Sequence, residues 1–129
     1  MSATPVRPTE SELEILTVLW SRGPSTVREV YEVLRKRRKS AQYATVLKFM
    51  QIMAQKGLLK RDESDRAHIY APIHSRESIQ RQLAGDLLQR GFDWSMKNLM
   101  IGALSARKAS KEELAELRKL LDDYEEGKQ

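Results

Sequence analysis

The chain has no cysteine. That excludes a disulfide framework and a thiolate metal site, and it fits a reducing compartment. Histidine is scarce: His68 and His74 are the only two. No carboxylate pair, nucleophile–base set, glycine-rich phosphate loop or metal-ligand spacing accompanies them, which argues against an enzyme and against a metal or other cofactor. Long apolar runs are missing too, and a membrane helix needs about 20 such residues. Residues 1–8 (MSATPVRP) lack the apolar centre of a signal peptide. The expectation is a cytoplasmic protein with no membrane insertion. At 129 residues it is one domain or two small ones.

What is present is positive charge, unevenly placed. Residues 1–74 hold 13 Lys and Arg against 8 Asp and Glu, whereas residues 75–129 hold 10 of each. The whole excess of +5 lies in the first part. This points to an N-terminal segment that binds a polyanion and a neutral companion.

Residues 42–57 organise the rest. They contain no proline, and no glycine before Gly57, where a helix should stop. Val46, Met50 and Met53 form an apolar stripe at i, i+4 and i+7, with Leu47 and Phe49 beside them. Gln42, Tyr43, Thr45 and Lys48 near the start cannot all face a core. A helix anchored at its far end and polar at its tip suits a DNA major groove; the plain alternative is an ordinary amphipathic helix.

Residues 1–8 read as a flexible arm. Thr9-x-x-Glu12 is a capping box, and Leu13, Leu16 and Trp20, flanked by Ile15 and Leu19, give the first helix its apolar face; Gly23-Pro24 ends it. Thr26-x-x-Glu29 opens a second helix with Val27, Val30, Tyr31 and Leu34 inward. Its basic end, Arg35-Lys36-Arg37-Arg38-Lys39, is favoured by the helix macrodipole and equally suits phosphate contact. After Ser40-Ala41 comes the organising helix, which completes a helix-turn-helix. Ser40 or Gln42 must cap it, and Gln caps poorly.

Residues 58–61 and 67–71 read as strands around a polar turn at residues 62–66, with Pro72 at the end. Three helices followed by this basic hairpin make a winged helix, and residues 9–74 are its predicted span. Arg61 and Arg66 could instead pair with Asp62, Glu63 and Asp65, but such exposed pairs are worth only roughly 0–1 kcal/mol.

Residues 75–129 read as three helices, with caps at Ser75, Ser95 and a third capping box, Ser110-x-x-Glu113. Ile79, Leu83, Leu87 and Leu88 line the first, Leu99, Met100 and Leu104 the second, and Leu114, Leu117, Leu120, Leu121 and Tyr124 the third. Some 55 residues enclose little core, so these stripes call for a partner, most economically an identical chain; the plain alternative is that they pack back onto the N-terminal domain. Leu83, Leu87, Leu99, Leu104, Leu114, Leu117 and Leu121 are the candidate dimerisation residues. The fold class expected is mostly α with a small β wing: a winged helix-turn-helix domain followed by a helical dimerisation domain.

Several stretches in this order resemble the penicillinase-repressor family (BlaI/MecI/CopY). They are Thr9-x-Ser11-Glu12-Leu13-Glu14-Ile15-Leu16-x-Val18-Leu19-Trp20, Gly23-Pro24-Ser25-Thr26-Val27-Arg28-Glu29-Val30 and Tyr43-Ala44-Thr45-Val46-Leu47. Lys56-Gly57-Leu58, Arg66-Ala67-His68-x-Tyr70-x-Pro72 and Ser110-x-Glu112-Glu113-Leu114-x-Glu116-Leu117-Arg118 complete the set. The resemblance implies a bacterial transcriptional repressor: a dimer joined through its C-terminal helices on a palindromic operator with TACA/TGTA-type half-sites. In the antibiotic-resistance branch it further implies relief of repression by a membrane sensor-protease that cuts the dimerisation domain. Departures from the family pattern qualify it. Ala44 stands where the family has a first Thr, and Asp65 where a turn Gly is usual. Gly102-Ala103 aligns with the Asn-Phe scissile bond. The Cys-rich copper-sensing tail of the CopY branch is missing.

Gln42, Thr45 and Lys48 are the candidate base readers: Gln can bond adenine, the Thr methyl can meet a thymine methyl, and Lys can reach guanine or a phosphate. Arg28, Tyr43, Lys60, Arg61 and Arg66 are the candidate backbone contacts; Tyr43 can alternatively pack under its helix. The rival function is a protein–protein interaction module whose basic face meets an acidic partner without reading DNA sequence.

Overall fold

The computed structural model describes residues 7–127; most of the expected N-terminal arm and the last two residues lie outside them. The element order is α1 (Glu10–Arg22), α2 (Val27–Arg37), α3 (Tyr43–Lys56), β1 (Leu59–Asp62), β2 (Ile69–Pro72), α4 (Arg76–Gly91), α5 (Met96–Ala106) and α6 (Lys111–Glu125). This is a mostly helical chain with a small β wing. It forms two compact units, Met1–Leu83 and Ala84–Gln129, and the division falls inside α4.

The first unit is built by local chemistry that its residues state clearly. Thr9 and Thr26 both make full capping boxes: each hydroxyl accepts from the backbone N–H of the Glu three residues on, and each Glu side chain accepts from the cap N–H. Three apolar faces then close on one another. Ile15, Leu16 and Leu19 come from α1, Val27, Val30 and Leu34 from α2, and Val46, Met50 and Met53 from α3. Burying each such side chain stabilises the unit by roughly 1.5–3 kcal/mol before entropy is counted.

The junction between α3 and the wing is tight. Gly57 adopts a left-handed backbone (φ 84°) just past the helix, a region a β-carbon disfavours. The next N–H, from Leu58, then donates back to the Met53 carbonyl at 2.9 Å, and the buried Leu58 and Leu59 are delivered into the core. β1 and β2 pair antiparallel, Leu59 with Pro72 through Asp62 with Ile69. The first strand is displaced by one residue from the expected 58–61, so that Asp62 is paired rather than in the turn, and the second starts later than expected because Ala67 and His68 lie before the first paired residue. Tyr70 is buried and pairs a second time: its N–H and C=O bond the C=O and N–H of Ser25, at 2.8 and 3.0 Å. The loop before α2 is therefore a third bridging segment beside the hairpin.

In the second unit Ser95 and Ser110 cap α5 and α6 as expected. The box at Ser110 is only half made. Glu113 turns its carboxylate to the Arg107 guanidinium instead, at 2.8 and 3.0 Å, so its reach back to the cap N–H is lost. Asp93 and Trp94, joining α4 to α5, both have positive φ (48° and 64°). No residue of α5 or α6 is buried. No helix among the described residues is long and apolar enough to cross a membrane.

Candidate nucleic-acid interface

α3 contains no Asp or Glu. Its buried stripe is Val46, Met50 and Met53. At about 100° per residue the opposite stripe is Ala44, Lys48, Gln51 and Gln55, and all four are exposed. Thr45 lies to one side of this outward face and Tyr43 to the other; both are exposed, as is Gln42. The sequence pattern had singled out the first turn and a half; the exposed face runs further, and Gln51 and Gln55 were missed. Their signal was present: they follow Lys48 at i+3 and i+7.

The candidate residues fall into two groups on either flank of α3. On the wing side, Arg28, Tyr43, Arg61 and Arg66 line one open groove together with Gln51 and His68. On the other side, Gln42 and Thr45 border a smaller hollow, of about 290 Å³, floored by Ile15, Leu34, Val46 and Phe49. Lys48 stands on the ridge between and borders neither. Lys60 is exposed on β1 but lines neither depression.

Gln42 is the N-cap of α3 and makes no side-chain cap bond. Its amide is therefore not tied to the helix start. Ser40 is exposed and does not serve as the cap.

The cations differ in what holds them. The Arg28 guanidinium stacks on the Tyr43 ring, 4.9 Å from its centroid. Arg61 pairs with Glu63, and the neighbouring Tyr70 hydroxyl first, then Glu63, raise its pKa further. Asp62, the last residue of β1, is held below its ordinary pKa by the Ser64 N–H. Lys48 and Arg66 make no hydrogen bond or ion pair among the described residues.

Other cations brace the unit. Arg38, from the basic run that ends α2, reaches Glu14 of α1, so one member of that run has a structural task. Lys56 at the end of α3 gives its Nζ to both oxygens of Glu12, at 2.8 and 3.1 Å. Glu12 is almost wholly buried. Burial pushes its pKa up, but the Lys56 ammonium and the Thr9 backbone N–H outweigh it and hold the carboxyl below its ordinary range. Glu29 is likewise lowered, first by the Thr26 N–H and then by Arg22.

The candidate dimerisation leucines are divided by exposure. Leu83, Leu99, Leu114 and Leu117 are half-buried. Leu87, Leu104 and Leu121 are exposed, Leu121 to 63%.

Three packed helices closed by a two-stranded wing, with an acid-free third helix facing outward, define a winged-helix protein. The chain belongs to the penicillinase repressor family, whose family model matches residues 8–123. It is 37% identical to the transcriptional regulator BlaI of Mycobacterium tuberculosis over 117 residues, covering 90% of this chain and 83% of that one. It is also similar to the penicillinase repressors of Staphylococcus aureus (20% identity, 88% of this chain and 89% of that one) and Bacillus licheniformis (22% identity, 92% of each).

Proposed function

We propose that this chain is a sequence-specific DNA-binding transcriptional repressor that acts as a homodimer on a palindromic operator. The observation that carries the reading is the outward face of α3: exposed, free of carboxylates and flanked by Arg28 on one helix and by the wing cations. Such a helix can enter a major groove without repelling phosphates. The relatives' names, a transcriptional regulator and two penicillinase repressors, support the same role.

In this reading Thr45, Lys48 and Gln42 read bases, and Gln51 extends the reading face. Arg28, Tyr43, Lys60, Arg61 and Arg66 take the backbone. The apolar side chains left exposed or half-buried on α4 to α6 pair two chains, with Leu83, Leu87, Leu99, Leu104, Leu114, Leu117 and Leu121 in the interface. Two recognition helices about 34–36 Å apart would meet half-sites one turn apart, and repression would follow from blocking polymerase. Release by a membrane sensor-protease acting on the C-terminal domain is compatible with the fold only after a local opening. Gly102 and Ala103 lie inside α5, and a protease needs an extended segment.

The test is selection of bound duplexes from a random pool, followed by titration of the selected and of random DNA across a salt series. A steep salt slope with a sequence preference is expected. Thr45→Ala should cost roughly 1–3 kcal/mol on the selected duplex and little on random DNA. Equal losses on both would remove Thr45 as a base reader. Neither slope nor preference in the unaltered chain would leave the interaction module as the better reading.

A further inference from the structure

Arg28 is held differently from its neighbours. Arg22, Arg38, Lys56 and Arg61 each rest on a carboxylate, from Glu29, Glu14, Glu12 and Glu63 respectively. Arg28 rests on rings. Its guanidinium carbon lies 4.9 Å from the Tyr43 centroid and 6.0 Å from that of Tyr31. A carboxylate cancels charge and occupies N–H donors; a ring face does neither. Arg28 is thus held in place while its charge and donors stay available to a phosphate oxygen.

Tyr31 holds the stack together. It follows Arg28 by three residues on α2, so both side chains share one side of the helix. Its half-buried ring meets Tyr43 edge to face, with centroids 5.7 Å apart and planes at 80°. Tyr43 is the first residue of α3 and is 38% exposed. Of the ring's two aromatic and cationic neighbours, Tyr31 is the one anchored against the core.

We propose that Tyr31 is a positioning residue for DNA binding. It touches no DNA itself; it clamps Tyr43 beneath Arg28 and so presents the guanidinium to the backbone at the mouth of the wing-side groove. The inference rests on the DNA-binding reading above and adds a residue to it.

The test is a double-mutant cycle read by titration of the selected duplex, at a temperature where melting curves show every variant folded. Tyr31→Leu is expected to weaken binding about three- to tenfold, the range of one aromatic pair and one cation–π contact. Tyr31→Phe should stay within about twofold of the unaltered chain, because it keeps the ring. In an Arg28→Ala background, Tyr31→Leu should add no further loss. The same loss with and without Arg28, or no loss at all, would overturn the inference. A purely structural Tyr31 would give the first of these results. If the unaltered chain binds DNA without salt dependence, the DNA-binding reading and this inference fall together; a normal slope with an unaffected Tyr31→Leu chain removes this inference alone.

Discussion

The two units treat their apolar side chains in opposite ways. In the first, Val30, Met50 and Met53 are fully enclosed, and charged residues such as Glu12 and Lys56 are locked into specific pairs. In the second, α5 and α6 bury nothing, and Trp94, Met96, Ile101, Leu120, Leu121 and Tyr124 stand in solvent. Exposed apolar side chains of this size are candidates for contact with a partner. The first unit is complete within one chain; the second, on the dimer proposal, is completed by another copy. Charge divides the same way: residues 1–83 carry 15 Lys and Arg against 9 Asp and Glu, and residues 84–129 carry 8 against 9.

The largest effect should come from separating the copies. Leu117→Asp places a carboxylate in the α6 stripe. It is expected to give monomers by sedimentation and to weaken operator binding by about 10²–10⁴-fold, because two linked half-site contacts become independent. A dimer that survives with unaltered affinity would remove α6 from the interface. The first unit should be blind to that change and sensitive to another. Met50→Ala in its core should lower stability by about 2–5 kcal/mol, measured by denaturant unfolding; a loss below about 1 kcal/mol would mean the core is looser than its burial indicates.

A smaller effect should distinguish the units by acid. Glu12 has its pKa lowered in the folded chain, so the unfolded chain binds the proton more readily. Its contribution is fully present above the ordinary glutamate value near 4.5 and is lost as pH falls through the lower, folded value. Glu12→Gln should cost roughly 1–3 kcal/mol at neutral pH and flatten that part of the stability curve below about pH 4.5. An unchanged acid profile would show that the Lys56 pair contributes nothing. The smallest effect concerns the wing. Glu63→Gln frees Arg61 from its ion pair and should strengthen DNA binding by no more than about fivefold, the scale of an exposed pair. Weaker binding would show that Glu63 helps Arg61 rather than restrains it.

Much of this arrangement was readable from local pattern. The boxes at Thr9–Glu12 and Thr26–Glu29, the stop at Gly57 and the stripe Val46, Met50 and Met53 each depend on residues a few positions apart, and all are found. What escaped depends on distant partners. Nothing near Ser25 in the chain announces that it will bridge Tyr70, nor does the run around Arg38 reveal which cation will reach Glu14. The third capping box shows the limit at short range as well: Glu113 has the right spacing, but Arg107 competes for its carboxylate. At the interface, residue types near the tip of α3 were legible as polar, whereas the stacking of Arg28 on Tyr43 joins two helices and leaves no periodic trace.

The double pairing of Tyr70 has a mechanical consequence. One residue joins the second wing strand to the loop that leads into α2, and α2 carries Arg28. The hairpin is therefore not a loose finger beside the three helices. On the DNA-binding proposal, any tilt of the wing against a duplex would be passed through Tyr70 to the segment before α2. On that proposal the wing and Arg28 would grip as a single jaw, its opening set at a buried tyrosine rather than at either surface.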